Sequence, residues 1–317
     1  MTVSALIPTF NRLDYVQKAI DSVLEQTKPV DEIVVIDDGS TDRTAQVLHS
    51  NYGSRIRLIQ QENAGVSGAR RRGLEEATTD WVAFLDSDDQ WTAHRNELFC
   101  SIVPFIDQDV AWIFGDLRIV SDGIRHETIF QRHGLRLEQP LTVFQDSLQV
   151  QFPYQFCLLQ GSMIRRNALL EAGCFSDDLR HSEDVLAGFQ IAVRYKFAAV
   201  REIVTELYRT SDLQASSTEL EGMNGPDYYR ARMSAFRLIA DSGTVLPWGQ
   251  YYADAVRGLC KWKAAHGESF WKSSLEQFRF CFSPLSLAFL AIALFGRPGL
   301  WLWYAAGRFS RAVGLRR

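Results

Sequence analysis

The sequence predicts an α/β fold with a mostly parallel sheet that is covered by helices on both faces. Apolar segments of strand length recur through the first 120 residues, and segments of helical periodicity separate them. Strands that are apolar at successive positions are buried on both faces, as in parallel sheets between helix layers. The predicted strands are residues 2–10, 33–36, 55–60, 81–85 and 111–120.

Segments with helical periodicity lie between these predicted strands. Residues 13–26 repeat apolar side chains on one face, and a second helical pattern runs through Ala45, Val47 and Leu48. Residues 66–77 have the same character. The pattern loosens beyond residue 130, where helices are predicted over 141–149, 166–172 and 182–194.

Composition and charge limit the classes of protein that fit. The chain has 317 residues, 46% hydrophobic and 23% charged, with a net charge of −4, which offers no general attraction to nucleic acid. We expect a first domain over residues 1–211 and a polar linker or loop over 212–226, a segment that contains glycine and proline. A helical, aromatic and basic region is expected over 227–317.

The last 61 residues differ from the rest in charge and in tryptophan content. Residues 257–317 contain ten Lys or Arg and two acidic residues, and five of the eight tryptophans lie beyond residue 247. The apolar run 285–295 is too short to span a bilayer as a helix, which takes about 20 residues. The interpretations that remain open are contact with the surface of the inner membrane, and a C-terminal helical pair that packs on the main domain or forms an oligomer contact.

The cysteines and the N-terminus predict a cytoplasmic protein. The five cysteines are scattered without the short spacing of a zinc or redox motif. No basic and apolar leader precedes the first predicted strand. We therefore expect a reducing, cytoplasmic location, with the basic tail at the cytoplasmic face of the membrane if it binds lipid.

Polar clusters follow three of the predicted strands. They are residues 8–12 (PTFNR), 37–40 (DDGS) and 86–89 (DSDD). Ligands of parallel α/β sheets bind beyond the carboxyl ends of the strands, so the clusters are expected to meet. Carboxylates gathered there suit a divalent cation that also binds a diphosphate. The alternative for the second cluster is a simple turn in which Ser40 or Thr41 caps the next helix.

A pair of acids begins the predicted helix over 182–194. Glu183 and Asp184, in HSEDVLAGFQ, are candidates for a base that accepts a proton from a hydroxyl group. Acids in a first helical turn also stabilise the helix dipole, so the residues alone leave both interpretations open.

Five segments resemble the inverting family-2 glycosyltransferases in order and in spacing. They are VSALIPTFNR, EIVVIDDGSTD, ENAGVSGARRRGLEEATTDWVAFLDSDD, GSMIRRNALLEAGCFSDDL and HSEDVLAGFQIAV. The resemblance covers residues 2–210. It implies the GT-A fold, a nucleotide-sugar donor, a divalent cation (Mn²⁺ or Mg²⁺) and transfer with inversion at the anomeric carbon.

The resemblance also implies roles for residues on the donor side. Those expected at the nucleotide sugar are Pro8, Thr9, Asn11, Asp38, Arg70 and Asp86. Asp86-Ser87-Asp88 matches the family's Asp-X-Asp motif, so Asp88 and Asp86 are the expected metal ligands.

On the acceptor side the resemblance favours Asp184 as the catalytic base, with Glu183 beside it. The residues expected at the edge of the acceptor pocket are Gln160, Gly161 and Ser162. Two positions depart from the family pattern. Arg71 replaces the usual asparagine, and Ser211 stands where a histidine is frequent.

We therefore expect a metal-dependent enzyme that moves a sugar, most simply from a UDP-sugar, to a saccharide or polyprenyl-diphosphate-linked acceptor in cell-surface polysaccharide synthesis. One alternative is a saccharide- or nucleotide-binding subunit of the same fold without activity, which the two departures favour. The other is a sugar nucleotidylyltransferase, although such enzymes carry a glycine-rich basic loop after the first strand and PTFNRLDY is not one.

Overall fold

The computed structural model describes residues 1–151, 157–175, 179, 182–209, 230–231 and 234–235. The chain divides into two compact units, Met1–Ser216 and Ser217–Arg317, and nearly all described residues belong to the first. The predicted linker over 212–226 lies outside the described residues. So does almost all of the region over 227–317, including the basic segment with the short apolar runs.

Strands and helices alternate through the first unit. The strands are β1 (Val3–Thr9), β2 (Glu32–Asp37), β3 (Arg57–Gln60), β4 (Trp81–Phe84), β5 (Gln90–Trp91), β6 (Val110–Ser121), β7 (Ile124–Thr128), β8 (Leu141–Phe144), β9 (Ser162–Arg165) and β10 (Lys196–Arg209). The helices are α1 (Leu13–Leu24), α2 (Thr44–Tyr52), α3 (Gly65–Glu76), α4 (Arg95–Ile102), α5 (Ile129–His133), α6 (Leu148–Gln151), α7 (Arg166–Ala172) and α8 (Glu183–Ala192).

The described strands form one mixed sheet in the order β3-β2-β1-β4-β9-β6-β10-β5, with β7 beside β6 and β8 beside β10. The pairs β3/β2, β2/β1 and β1/β4 are parallel, and β6 is parallel to β10. Between these groups β9 runs antiparallel to both β4 and β6. As a result β1, β2, β3, β4, β6 and β10 all point the same way, and their carboxyl ends lie along one rim of the sheet.

The apolar strands are explained by burial on both faces. All seven residues of β1 are buried, and the same holds for all four of β4. Helix α1 covers one face of the sheet through Val16, Ala19, Ile20 and Val23, which belong to the predicted apolar face. Each fully buried Ile or Val side chain of this kind contributes roughly 2 kcal/mol by removal of apolar surface from water. The predicted α/β class is confirmed.

One predicted helix is wrong. The segment predicted as helical over 141–149 is a strand, β8, for its first four residues, and only Leu148–Gln151 is helical. Leu141–Phe144 pairs antiparallel with residues 197–200 of β10. A short apolar run has no periodicity that separates strand from helix, and the partner strand lies more than 50 residues further along the chain.

Within the described part of the chain, no helix is long and apolar enough to cross a lipid bilayer.

A glycine turn after β2 touches the segment that follows β3. Gly39 has φ of +80°, and a Cβ atom added there would lie 2.9 Å from the backbone nitrogen of Asn63 and 3.2 Å from the carbonyl oxygen of Gln61. Both the backbone conformation and the close approach therefore require glycine. This contact holds two rim segments against each other.

We predict that Gly39→Ala lowers the free energy of unfolding by about 2–4 kcal/mol, because it adds overpacking to the cost of a left-handed conformation. The matched control is Gly173→Ala at the end of α7, where φ is +66° and, apart from its chain neighbours, none of the described residues has an atom within 4 Å of the added Cβ. There only the conformational cost of about 1 kcal/mol remains. Urea unfolding of both variants measures the difference, and equal losses would show that the approach to Asn63 is not tight.

Candidate active site

Three carboxylates gather in the turn after β4. The oxygens that Asp86, Asp88 and Asp89 offer lie within 4.8 Å of one another. Carboxylate oxygens at this spacing are ligands that Mg²⁺ and Mn²⁺ prefer, so the donor set fits the divalent cation that the resemblance implies. Asp86 and Asp88 are reachable from solvent, with side chains 25% and 10% exposed, whereas Asp89 is 1% exposed.

Each of these carboxylates is paired with a different arginine. Arg70 Nη2 lies 2.5 Å from Asp86 Oδ1. The other two contacts are Arg12 Nη1 to Asp88 Oδ2 at 2.7 Å and Arg209 Nη1 to Asp89 Oδ1 at 3.1 Å. The three guanidinium groups offset the mutual repulsion of the acids, which explains how the chain keeps them so close together.

Arg70 connects the turn after β4 to the start of α8. Its Nη1 donates to Glu183 Oε1, while its Nη2 donates to Asp86. The second oxygen of Asp86 accepts from Gln160 Nε2. Arg70 is 5% exposed and Glu183 is 4% exposed, so this ion pair is almost fully removed from water. The predicted Asp-X-Asp motif and the predicted catalytic pair are therefore brought together through one side chain.

Burial and neighbouring charges shift the pKa values of these acids in different directions. Burial raises the pKa of Glu183 to about 7, although the Arg70 charge opposes that shift. Burial likewise raises the pKa of Asp184, and Arg70 again opposes it. Burial also acts to raise the pKa of Asp86. The Arg70 charge and the hydrogen bonds from Gln160 and Arg70 outweigh this effect and hold the pKa of Asp86 below its ordinary value.

The two acids at the start of α8 differ in accessibility. Glu183 is buried against Arg70, whereas Asp184 is half-buried and its Oδ1 accepts from the backbone N–H of Val185, 2.8 Å away. Ser182, just before the helix, has φ of +62°, a left-handed conformation that turns the chain sharply into α8. Of the pair, Asp184 is therefore the carboxylate that a substrate can reach.

Asp38 stands at the carboxyl end of β2 and is bonded on several sides. Its backbone N–H donates to the carbonyl oxygen of Thr9 at 2.9 Å, which ties it to the end of β1. Its Oδ1 accepts from Gln61 Nε2 at 2.6 Å and from the N–H of Ala64 at 2.9 Å. Its carbonyl oxygen accepts from Asn63 Nδ2. The predicted nucleoside residue Asp38 is thus held rigidly beside Thr9.

Asn11 fixes the turn after β2 against the end of β1. Its Oδ1 accepts from the backbone N–H of Thr41 at 2.7 Å and of Asp42 at 3.3 Å, and its own N–H donates to Ser40 Oγ at 2.9 Å. Helix α2 begins only at Thr44. The alternative in which Ser40 or Thr41 caps that helix is therefore wrong, because both side chains face Asn11 instead.

The predicted donor-side residues lie along this one rim. Pro8 and Thr9 form the last two positions of β1 and pair with the last two of β2, Ile36 and Asp37. The Oγ1 atom of Thr9 is buried without a hydrogen-bond partner among the described residues. Arg71, a departure from the family pattern, is 38% exposed with Nε 3.9 Å from Glu75.

The predicted acceptor-side residues have structural contacts that the sequence did not reveal. Gln160 bonds Asp86, and its carbonyl oxygen accepts from Thr205 Oγ1 at 2.7 Å. Ser162 is fully buried, donates to the carbonyl oxygen of Leu158 at 2.6 Å and accepts from Trp112 Nε1 at 2.7 Å. The hydroxyl of Ser162 is thus hydrogen-bonded inside the protein, and its role at an acceptor stays a prediction.

Gly161, the third residue of that group, is buried where β6 approaches most closely. A Cβ atom there would lie 2.8 Å from Leu117 Cδ1 and 3.1 Å from the carbonyl oxygen of Gly115. Glycine at this position lets the backbone beside Gln160 pack against β6.

A second buried arginine supports this region. Arg95 is 1% exposed, stacks over the ring of Trp91 at 3.9 Å and over that of Phe99 at 4.8 Å, and donates from Nη2 to the carbonyl oxygen of Ser162 at 2.6 Å. Burial lowers its pKa to about 9. The side chain ties the segment after Asp89 to the start of β9, next to Gln160.

Two arginines of the site were assigned no individual role by the sequence analysis. Arg12 belongs to the segment PTFNR, and Arg209 ends β10 only two positions before Ser211, which lies outside the described residues. Their location beside strand ends was the available signal. No sequence pattern indicates that each pairs with an aspartate more than 70 residues away.

The chain resembles known proteins in sequence and in fold. The family model described as "Glycosyl transferase family 2" matches residues 4–172. A Bacillus subtilis protein named "Putative teichuronic acid biosynthesis glycosyltransferase TuaG" is 40% identical over 98 residues, which is 30% of this chain and 39% of that protein. An Escherichia coli protein named "UDP-Glc:alpha-D-GlcNAc-diphosphoundecaprenol beta-1,3-glucosyltransferase WfgD" is 35% identical over 121 residues, 38% of this chain and 47% of that protein. The chain thus spans less than half the length of either relative.

A crystal structure of an S. aureus TarS fragment in complex with UDP-GlcNAc has a similar fold. The TM-score is 0.62 at 19% sequence identity, and the alignment covers 93% of this chain and 80% of the fragment. At this identity the likeness concerns the fold alone.

We predict that Arg70→Met lowers the free energy of unfolding by about 3–5 kcal/mol, because it leaves the buried Glu183 and the partly buried Asp86 without their common partner. Arg71→Met is the matched control, since it removes the next guanidinium of the same helix from a more exposed position and should cost less than about 1 kcal/mol. Urea unfolding at pH 8 gives both values. Similar losses in the two variants would contradict the assignment of Arg70 as the buried bridge.

Proposed function

Because the chain belongs to glycosyl transferase family 2, we propose that it is a metal-dependent inverting glycosyltransferase. It moves a sugar from a nucleoside-diphosphate donor to a hydroxyl group of a saccharide or lipid-linked saccharide in cell-surface polysaccharide synthesis. The observation that carries the proposal is the contact chain Asp86–Arg70–Glu183, which joins the acidic turn after β4 to the acids of α8. A displacement at the anomeric carbon needs a donor site and a base that lie close together, here on the same rim of the sheet.

The donor is proposed to lie over the carboxyl ends of β1 and β2. Hydrogen bonds fix Asp38 to the end of β1 at Thr9 and fix Asn11 to the turn at residues 40–42. Both lie in the crevice where ligands of open α/β sheets bind. UDP is the favoured nucleotide. The TarS fragment was crystallised with UDP-GlcNAc, and the E. coli relative is named as a UDP-glucose enzyme.

Asp88 and Asp86 are proposed to hold a divalent cation, Mn²⁺ or Mg²⁺. When bound, such a cation acts as a Lewis acid that offsets the charge gained by the departing diphosphate. Asp86 is kept ionised for this role, because Arg70 and Gln160 hold its pKa below the ordinary value. Asp89 is buried and accepts from the N–H of Tyr208, so its role is to fix the end of β10.

Asp184 is proposed as the catalytic base. It accepts the proton of the acceptor hydroxyl while the acceptor oxygen bonds to the anomeric carbon and the bond from that carbon to the diphosphate oxygen breaks. With a single carboxylate as base and no carboxylate acting as nucleophile, one displacement inverts the anomeric configuration. Glu183, buried against Arg70, is a positioning residue that fixes the first turn of α8.

The acceptor is proposed to be a saccharide, free or on a polyprenyl diphosphate, and the protein is proposed to work in the cytoplasm. Contact of residues 257–317 with the inner-membrane surface remains part of this proposal, because the tail's net charge of +8 and its tryptophans suit an anionic lipid surface. The E. coli relative is named for a diphosphoundecaprenol-linked acceptor.

A non-catalytic nucleotide-binding subunit is the second candidate. It is favoured by Ser211, where the family frequently has histidine, and by Arg71. Enzyme and subunit both bind nucleotide, but only the enzyme loses turnover when the base is removed.

We predict that Asp184→Asn lowers kcat by about 10²- to 10⁴-fold, because the variant cannot accept the hydroxyl proton. Its affinity for UDP with Mn²⁺, measured by calorimetry, should stay within about twofold of the native value. Turnover is followed as UDP release from the nucleotide sugar that stabilises the protein most in a thermal-shift panel.

The control for that substitution is Asp14→Asn, which also removes an acid from the first turn of a helix, in α1. It should leave kcat unchanged. Native kcat in Asp184→Asn, or equal losses in both variants, would reject the base assignment. UDP binding without any turnover in the native protein would support the non-catalytic subunit instead.

We predict that kcat/KM falls with decreasing pH at a pH above the ordinary carboxyl value of about 4. Burial raises the pKa values of Glu183 and Asp184. A protonated base cannot accept a proton, so the enzyme is active above the raised pKa of its base and loses activity below it. In Glu183→Gln a neighbouring negative charge is lost and the acid limb should move to lower pH. An acid limb that is unchanged in this variant would show that the two carboxyls do not interact.

A further inference from the structure

We propose that Arg12 is the counter-ion of Asp88 in the ligand-free protein and that it exchanges this carboxylate for the diphosphate of the nucleotide. Arg12 would then compete with the cation for Asp88 until the nucleotide binds. Nucleotide and cation should therefore strengthen each other's binding through this side chain. This inference rests on the proposed function and adds a binding residue and an order to its donor site.

The position of Arg12 is fixed by the rigid bend at the end of β1. Asn11 has φ of +51° and is bonded to the turn at residues 40–42. The carbonyl oxygen of Arg12 accepts from the N–H groups of Tyr15 and Val16 at the start of α1. From this fixed backbone the Arg12 guanidinium crosses to Asp88 in the turn after β4 and meets Oδ2 at 2.7 Å.

Arg70 is unsuited to such an exchange. It is nearly buried and its two terminal nitrogens hold Asp86 and Glu183, so moving it would leave two charges without their partner. The structure therefore gives Arg70 a permanent bridging role.

The pair formed by Arg209 is unsuited for a different reason. Its partner Asp89 is 1% exposed, and the same Arg209 nitrogen also donates to the carbonyl oxygen of Tyr208 at 2.7 Å. Arg12 and Asp88, with side chains 24% and 10% exposed, form the pair that solvent and a ligand can reach together. Of the three pairs, the Arg12–Asp88 pair is therefore the one in which a ligand can approach both partners.

The location of Arg12 also suits a diphosphate. It directly precedes α1, a helix of 12 residues whose N-terminus favours negative charge. It follows Thr9 and Asn11, the proposed nucleoside contacts. A planar guanidinium with several donors matches phosphate oxygens at least as well as a carboxylate, so the exchange replaces one charge-assisted bond by another.

The test measures Mn²⁺ binding to the full chain by calorimetry and by electron paramagnetic resonance, without and with saturating UDP. Arg12→Gln removes the competing charge and leaves a shorter, neutral polar side chain. We expect it to bind Mn²⁺ alone about 5-fold more tightly than the native protein and to bind UDP about 5-fold more weakly. The factor by which UDP strengthens Mn²⁺ binding should shrink accordingly, and by linkage the reciprocal factor should shrink equally.

The matched control is Arg43→Gln, which removes an exposed arginine at the start of α2 near the same rim. It corrects for the general effect of removing a positive charge and should change Mn²⁺ affinity by less than about twofold. Arg12→Lys, which keeps the charge but not the planar fork, should restore part of the coupling.

The sign of the change decides the outcome. If Arg12 merely holds Asp88 in place, Arg12→Gln will bind Mn²⁺ more weakly than the native protein, and the exchange is overturned while the proposed function stands. The exchange is likewise overturned if the Mn²⁺ affinity of Arg12→Gln is unchanged or matches that of Arg43→Gln. A native protein that binds neither Mn²⁺ nor UDP would overturn the proposed function itself, and this inference with it.

Discussion

Arg70 lies almost fully buried between Asp86 and Glu183, and it joins the turn after β4 to a helix that starts 113 residues further along the chain than Arg70 itself. Glu183 is removed from water and Asp86 is partly so, and both bond the same guanidinium. Such a buried ionic group is stable only while all its members are present and well bonded. Gln160 bonds the free side of Asp86 and completes the arrangement. This bridge also fixes the position of the half-buried Asp184, because Asp184 follows Glu183 in the same helical turn. The proposed donor site and the proposed base are thus fixed relative to each other by one ionic group.

The direction of the strands explains why this bridge can form. Six strands point the same way although β9 runs against its neighbours, so the ends of β1, β2, β4 and β10 meet along one rim. Polar groups that would be costly to bury inside the sheet lie just after the carboxyl end of each strand. Helix starts and sharp turns gather at the same edge, which accounts for the left-handed conformations of Asn11, Gly39 and Ser182 there.

Repulsion among the clustered acids is the second constraint. Asp86, Asp88 and Asp89 lie within 4.8 Å of one another, and each has its own arginine. These arginines differ in burial, and so in what they can do. A buried pair preserves geometry, whereas an accessible pair can yield to an incoming ligand. The proposed binding of a cation and a diphosphate uses both kinds of pair.

The sequence by itself determined the α/β class, most of the strands through β6, and the acids at the strand ends, because apolar runs and polar turns are local patterns. It left Glu183 and Asp184 undistinguished without the family resemblance, and it predicted a helix where Leu141–Phe144 forms a strand. Only the tertiary structure decided that Glu183 is buried against Arg70, that Gln160 bonds Asp86, and that β8 pairs with a distant strand. These facts depend on which distant side chains the sheet brings together, and an ion pair formed across 113 residues leaves no periodicity in the sequence.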